Sequence, residues 1–215
     1  MNAPQSICGT RAALTQPDSG GTMSKTKYRN QSLREQFGEN WRRFEKIKFS
    51  QVTPKCDRRH YINDEDILVV LSRLPFETWI RLRRVHFNDE GQGVRLLASV
   101  TRGRREIAVC ALPPRVSLTR FLTDKQSPLQ FGAQRGCQWP RLAVRRYLLY
   151  DVFLHELGHL QIVDEKAKNV RRKYASQTLA QDFADYWRGM LWRKSYEHED
   201  SVHNPPPRKH ECIPK

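Results

Sequence analysis

The sequence predicts an α+β domain: a small antiparallel sheet packed on one helix, with a second helix following it. Three observations carry that reading. Residues 79–112 hold three short apolar runs separated by turn residues. Residues 141–163 form a long apolar stretch at helical spacing, and residues 176–192 form another. At 215 residues, with 38% hydrophobic and 10% aromatic content, the chain supports one core of ordinary size.

The elements are justified in order. Residues 1–30 are rich in Ser, Thr, Gly, Gln and Asn, and read as a disordered tail. Met23 offers a second translation start within it. From Ser32 to Lys48, the residues Leu33, Phe37, Trp41, Phe44 and Ile47 recur at spacings that suit an amphipathic helix. The segment 64–75 reads as a short helix capped by Asp64 or Asp66 and stopped before Pro75. Strands are expected over 79–87, 94–101 and 106–112, with turns at Asn88–Gly91 and Arg102–Arg104. Two helices follow, over 141–163 and 176–192, joined by a basic connection between Asp164 and Lys173. Residues 31–196 thus make a single domain, and residues 197–215 an irregular tail with Pro205-Pro206-Pro207.

Composition excludes several classes. No run of 18 apolar residues is present, so no transmembrane helix is expected. No secretory signal is visible in the first 30 residues. The five cysteines are odd in number, scattered and without a C-x-x-C pair. That argues against a disulfide framework or a thiolate zinc finger, and for a reducing cytoplasm. Lys and Arg total 38 against 23 acids, so the net charge is 38 − 23 = +15. Non-specific nucleic-acid contact follows from such a charge. The Arg clusters all lie beside apolar residues, however, and read as polar faces of folded elements.

One motif carries chemistry. His155-Glu156-Leu157-Gly158-His159 is H-E-x-x-H inside the first strong helix. A spacing of four stacks both imidazoles on one helix face, where they can share a Zn²⁺ ion at about 2.0–2.1 Å each. Glu156 is turned about 100° from His155 and can reach a water on that ion. Co²⁺, Mn²⁺ and Fe²⁺ remain open as alternatives to Zn²⁺. A third ligand is required, and the next helix offers Gln177, Gln181, Asp182 and Asp185. Asp182 and Asp185 are three apart and share a face, so one can ligate while the other orients a ligating His through its free N–H. For the developing oxyanion, Tyr174, Tyr186, His198 and His203 are candidates, while Tyr147 and Tyr150 are expected to pack.

These residues resemble a known family. HELGH on an apolar helix, followed by Gln177-Thr178-Leu179-Ala180-Gln181-Asp182-Phe183-Ala184, is similar to the gluzincin-type metalloproteases, particularly the small ImmA/IrrE-type. Their later helix has the form E-x-x-A-x-x-F-A, with the Glu as third zinc ligand. The resemblance covers residues 141–192 and implies a zincin-like fold, a zinc cofactor and a protein or peptide substrate. It places the family's ligand position on Gln177, which is not an acid, so Asp182 is the expected third ligand and Gln177 its competitor. A weaker resemblance is to the SprT-type zincins, whose third ligand is a later His. The implied function is a zinc-dependent peptidase with Glu156 as general base. The alternative is a weak or inactive zincin-fold module that binds a protein partner or nucleic acid.

Overall fold

The computed structural model describes residues 34–35, 37–38, 41–55, 57–91, 94–162, 170–193 (170–174 by backbone) and 197–207. The chain divides at Gly38, and the unit Glu39–Lys215 carries every element named below. The tail expected over 1–30 and most of the basic connection lie outside the described residues. So does the Tyr174 side chain.

Four strands make one mixed sheet in the order β1-β2-β4-β3. They are β1 (Lys48–Gln51), β2 (Arg84–Asn88), β3 (Ala98–Thr101) and β4 (Glu106–Cys110). This agrees with the α+β expectation at the level of composition, but the sheet is not an antiparallel meander. Only β3 and β4 pair antiparallel, across the Arg102–Arg104 turn. β1 runs parallel to β2, and β2 parallel to β4. Burial explains the order. β2 and β4 carry the buried residues Val85, Phe87, Ile107 and Val109, so they take the centre, where parallel strands need cover on both faces. β3 is short and half-exposed, and takes the edge.

Two local expectations shift. Of the helix expected over 32–48, the described residues Arg34, Glu35 and Phe37 are helical, as is the turn α1 (Trp41–Phe44), but the chain from Lys48 onward pairs with β2 instead. Phe44 stacks on Trp79 at 5.3 Å and fixes that entry. The second helix, α2 (Asp64–Arg73), stops before Pro75 as expected, but its cap is Asn63. The Asn63 side chain accepts from the Asp66 backbone N–H at 2.8 Å, and Asp66 accepts from the Asn63 N–H at 3.0 Å. This reciprocal pair satisfies two otherwise orphaned groups.

The central rod runs from Arg141 to Gln161. It comprises α3 (Arg141–Tyr147), a wide π turn (Leu148–Phe153) and α4 (Leu154–Gln161). All six π-turn residues are buried. α4 packs beside β3 and against α5 (Val170–Arg193). Its last turn is tied down by Arg81, which donates to the Leu160 carbonyl at 3.3 Å. Of the irregular tail expected over 197–215, residues 208–215 lie outside the described residues, while the segment 197–207 anchors to the core through two residues. Val202 and His203 are buried, and Asp200 pairs with Arg145 at 2.6 Å. Arg145 also pairs with Asp66 of α2 at 2.8 Å, so one guanidinium joins three elements.

Gly158 sets the α4–α5 distance. A Cβ there would lie 3.1 Å from the Ala180 Cα, the Ala180 carbonyl oxygen and the Phe183 Cβ. Two of those atoms are backbone and cannot rotate away. Gly158→Ala should therefore lower stability by about 1 kcal/mol net. Overpacking at about 1–3 kcal/mol outweighs the roughly 1 kcal/mol gained in helix propensity. Chemical denaturation reads this directly, and a variant as stable as wild type would contradict the close contact.

Candidate functional site

The site is built where α4 faces α5. His155 and His159 project from α4 one turn apart, with ring centroids 4.8 Å apart. His155 is half-buried and His159 is 5% exposed. Burial and the neighbouring His155 and Arg102 push the His159 imidazole down to about 4, so it is neutral near pH 7. A neutral imidazole is the form that ligates a metal.

α5 meets these rings with three polar side chains. Gln177 places Oε1 3.0 Å from His155 Nε2, and it also hydrogen-bonds His159. Gln181 places Oε1 3.0 Å from His155 Nδ1. Ser176 Oγ lies 3.4 Å from His159 Nδ1, and itself accepts from Arg102 at 2.9 Å. The residues Gln177 and Gln181 share a face because they are four apart. Asp182 lies five residues after Gln177, which turns it about 140° around the helix. It is exposed. Asp182, the expected third ligand, is therefore not brought to the histidines: the contact of Gly158 with Ala180 and Phe183 sets the rotation of α5, and Gln177 is the residue that reaches them.

Asp185 is also not at the histidines. It belongs to a cluster behind Gln181, with Asp151, Arg188 and Gln126. Arg188 is buried and bridges the Asp151 and Asp185 carboxyls. Gln126 Nε2 donates to both acids, reaching Asp185 at 3.1 Å. Burial pushes the Asp151 carboxyl up to about 6 against the pull of Arg188. Sequence reasoning missed Ser176, Asp151, Arg188 and Gln126. Asp151 carried a usable signal, since it lies four residues before His155 on the same helical rod. Gln126 lies in a loop and carried none.

Glu156 shares a cleft of about 280 Å³ with His155, Gln177, Leu96, Phe121 and Val152. Burial raises its carboxyl to about 7. Tyr147 reaches the same cleft, but its hydroxyl donates to the Phe121 carbonyl at 3.1 Å, so it packs as expected. Of the oxyanion candidates, Tyr186 is exposed on α5, and His203 is buried against Tyr150 and Asp66. His198 meets His203 edge to face, with ring centroids 4.6 Å apart. None of these three lines the cleft.

The donor set can be tested against a metal. Among the described residues, no group of three or more His, Cys, Asp or Glu side chains is placed to hold one. Two imidazole nitrogens and an amide oxygen are present instead. That set fits a borderline cation such as Zn²⁺, with less affinity than two imidazoles and a carboxylate would give. No protein-family model, curated protein or solved structure matches the chain.

The Glu156 environment yields a pH dependence. Its folded pKa, about 7, lies above the ordinary carboxyl value, so the folded state holds the proton more tightly. The group's stabilising effect is complete below about pH 4.5 and is lost as pH rises through about 7. In metal-free protein, Glu156→Gln should match wild type at pH 4 and exceed it by roughly 3 kcal/mol at pH 8. Urea denaturation at both pH values checks this. Parallel wild-type and variant profiles would contradict the burial of this carboxyl.

Proposed function

We propose that this chain is a zinc-dependent peptidase with a zincin-like site, acting on a protein or peptide substrate. His155 and His159 are the metal ligands, Gln177 is the third donor and Glu156 is the general base. The observation that carries the reading is the convergence of the His155 and His159 imidazoles on Gln177, beside a cleft that His155, Gln177 and the half-buried Glu156 line.

Zinc bound there would supply a Lewis acid for the scissile carbonyl and a water of lowered pKa. The chain's own residues do the rest. Burial raises the Glu156 carboxyl above its ordinary range, the direction that suits a group that takes a proton from water and returns it to a leaving amine. Leu96, Phe121 and Val152 give the cleft apolar walls against which a substrate side chain can pack. β3 lies at the end of the sheet order and beside α4, so its outer edge can pair with an extended peptide. Arg95 at the cleft favours acidic side chains nearby. A cytoplasmic setting belongs to the same proposal. No described helix is long and apolar enough to cross a membrane. Among the described cysteines, Cys110 and Cys137 are unpaired.

The second reading is a catalytically weak or inactive module that binds a protein partner or nucleic acid. The neutral amide of Gln177 favours it, because a site with no carboxylate ligand leaves more of the metal's charge uncompensated. Elemental analysis and a cleavage assay on unfolded protein separate the two. The peptidase reading expects one zinc per chain, cleavage abolished in Glu156→Gln, and zinc affinity raised about tenfold or more in Gln177→Glu. Zinc bound by Gln177→Glu and not by wild type would leave the second reading standing.

A further inference from the structure

We propose that Gln181 is a positioning residue that fixes the proton of His155 on Nδ1 and so keeps Nε2 as the lone pair facing Gln177. The inference rests on the reading of His155 as a metal ligand. The two are separable by experiment.

The argument starts from which way the Gln181 amide faces. Its Nε2 lies 3.1 Å from Asp185 Oδ1 and 3.4 Å from Asp151 Oδ2. An ionised carboxylate only accepts, so the amide nitrogen faces the acids and the amide oxygen must face the other way. The carboxyls themselves cannot turn. Arg188 is 7% exposed and gives one guanidinium nitrogen to each of them. Gln126 Nε2 bridges the same pair from the loop side. The guanidinium is in turn stacked, with its carbon 5.3 Å from the Phe131 ring centre and 5.9 Å from that of Trp192.

The opposite end of the amide follows. Oε1 stands 3.0 Å from His155 Nδ1, and an amide oxygen has no hydrogen to give. The hydrogen in that contact therefore belongs to His155 Nδ1. In a neutral imidazole the proton on one nitrogen leaves the other as an acceptor. His155 Nε2 is then the lone pair, and it points at Gln177 Oε1 at 3.0 Å. Two acceptors do not face each other at that distance without a hydrogen or a cation between them. Gln177 either turns its amide nitrogen to Nε2 or shares a cation with it.

A free imidazole prefers its proton on Nε2, the wrong nitrogen for a ligand at this place. Gln181, held by Asp151, Asp185 and Arg188, reverses that preference before any ligand arrives. Such outer partners of metal-binding histidines typically carry about 10–100-fold in affinity.

The experiment is long-range ¹H–¹⁵N correlation of the His155 ring in metal-free protein at pH 8, for wild type and Gln181→Met. Zinc affinity is measured on both by competition with a chromophoric chelator. Wild type is expected to show the Nδ1–H form, and Gln181→Met the Nε2–H form, with zinc binding weaker by about 10–100-fold. Wild type in the Nε2–H form overturns the proposal without any variant being needed. An unchanged tautomer in a folded Gln181→Met protein overturns it as well. Should the tautomer switch as expected while neither protein binds zinc, the positioning role stands and the metal reading falls.

Discussion

The close contact of α4 with α5 at Gly158 is the constraint on which the site depends. A helix pair meeting at Ala180 and the Phe183 Cβ has no room for a side chain at that point. The short approach brings the polar face of α5 within hydrogen-bond reach of the histidines on α4. It also selects which residues arrive. Ser176 and Gln177 meet His159 and His155, Gln181 backs His155, and Asp182 is carried round to the exposed side. A larger residue at position 158 would move α5 outward by an amount comparable to a hydrogen bond's tolerance.

The far end of the rod is held differently. Asp66, Arg145, Asp200 and His203 join α2, α3 and the segment 197–207 through ion pairs and hydrogen bonds. Tyr150, in the π turn, meets His203 Nδ1 at 3.0 Å and also accepts from Arg73 at 3.2 Å. Next to it in the chain, Asp151 looks to Arg188 and Gln181. The π turn thus lies between a structural cluster on one side and the cleft on the other. Wide turns of this kind recur at functional places in helices, because one extra residue per turn redirects side chains that follow.

Much of this was legible in the sequence where the signal is local. H-E-x-x-H gives its own geometry, since four residues make about one helical turn. The rod was expected over 141–163 and runs from Arg141 to Gln161. The β3–β4 hairpin was announced by Gly103 among turn residues. What was not legible depends on long-range pairing. β1 has one half-buried residue in four and no alternation, so nothing in Lys48–Gln51 marks it as a partner for β2. The segment 197–207 brings Val202 as its one buried apolar residue, too little to distinguish from a tail. The choice of Gln177 over Asp182 turned on the rotation of α5, which only packing at Gly158 determines. Chemistry favoured the acid; geometry brought the amide.

The central claim is that His155 and His159 bind one metal ion together with an oxygen donor from α5. X-ray absorption at the zinc edge, on protein loaded with one equivalent of zinc, tests it most directly. The account predicts two imidazole nitrogens at about 2.0–2.1 Å, with the remaining ligands light oxygen donors. It also predicts that one imidazole signal disappears in His155→Ala. A spectrum with sulfur ligands, or one unchanged by His155→Ala, would contradict it.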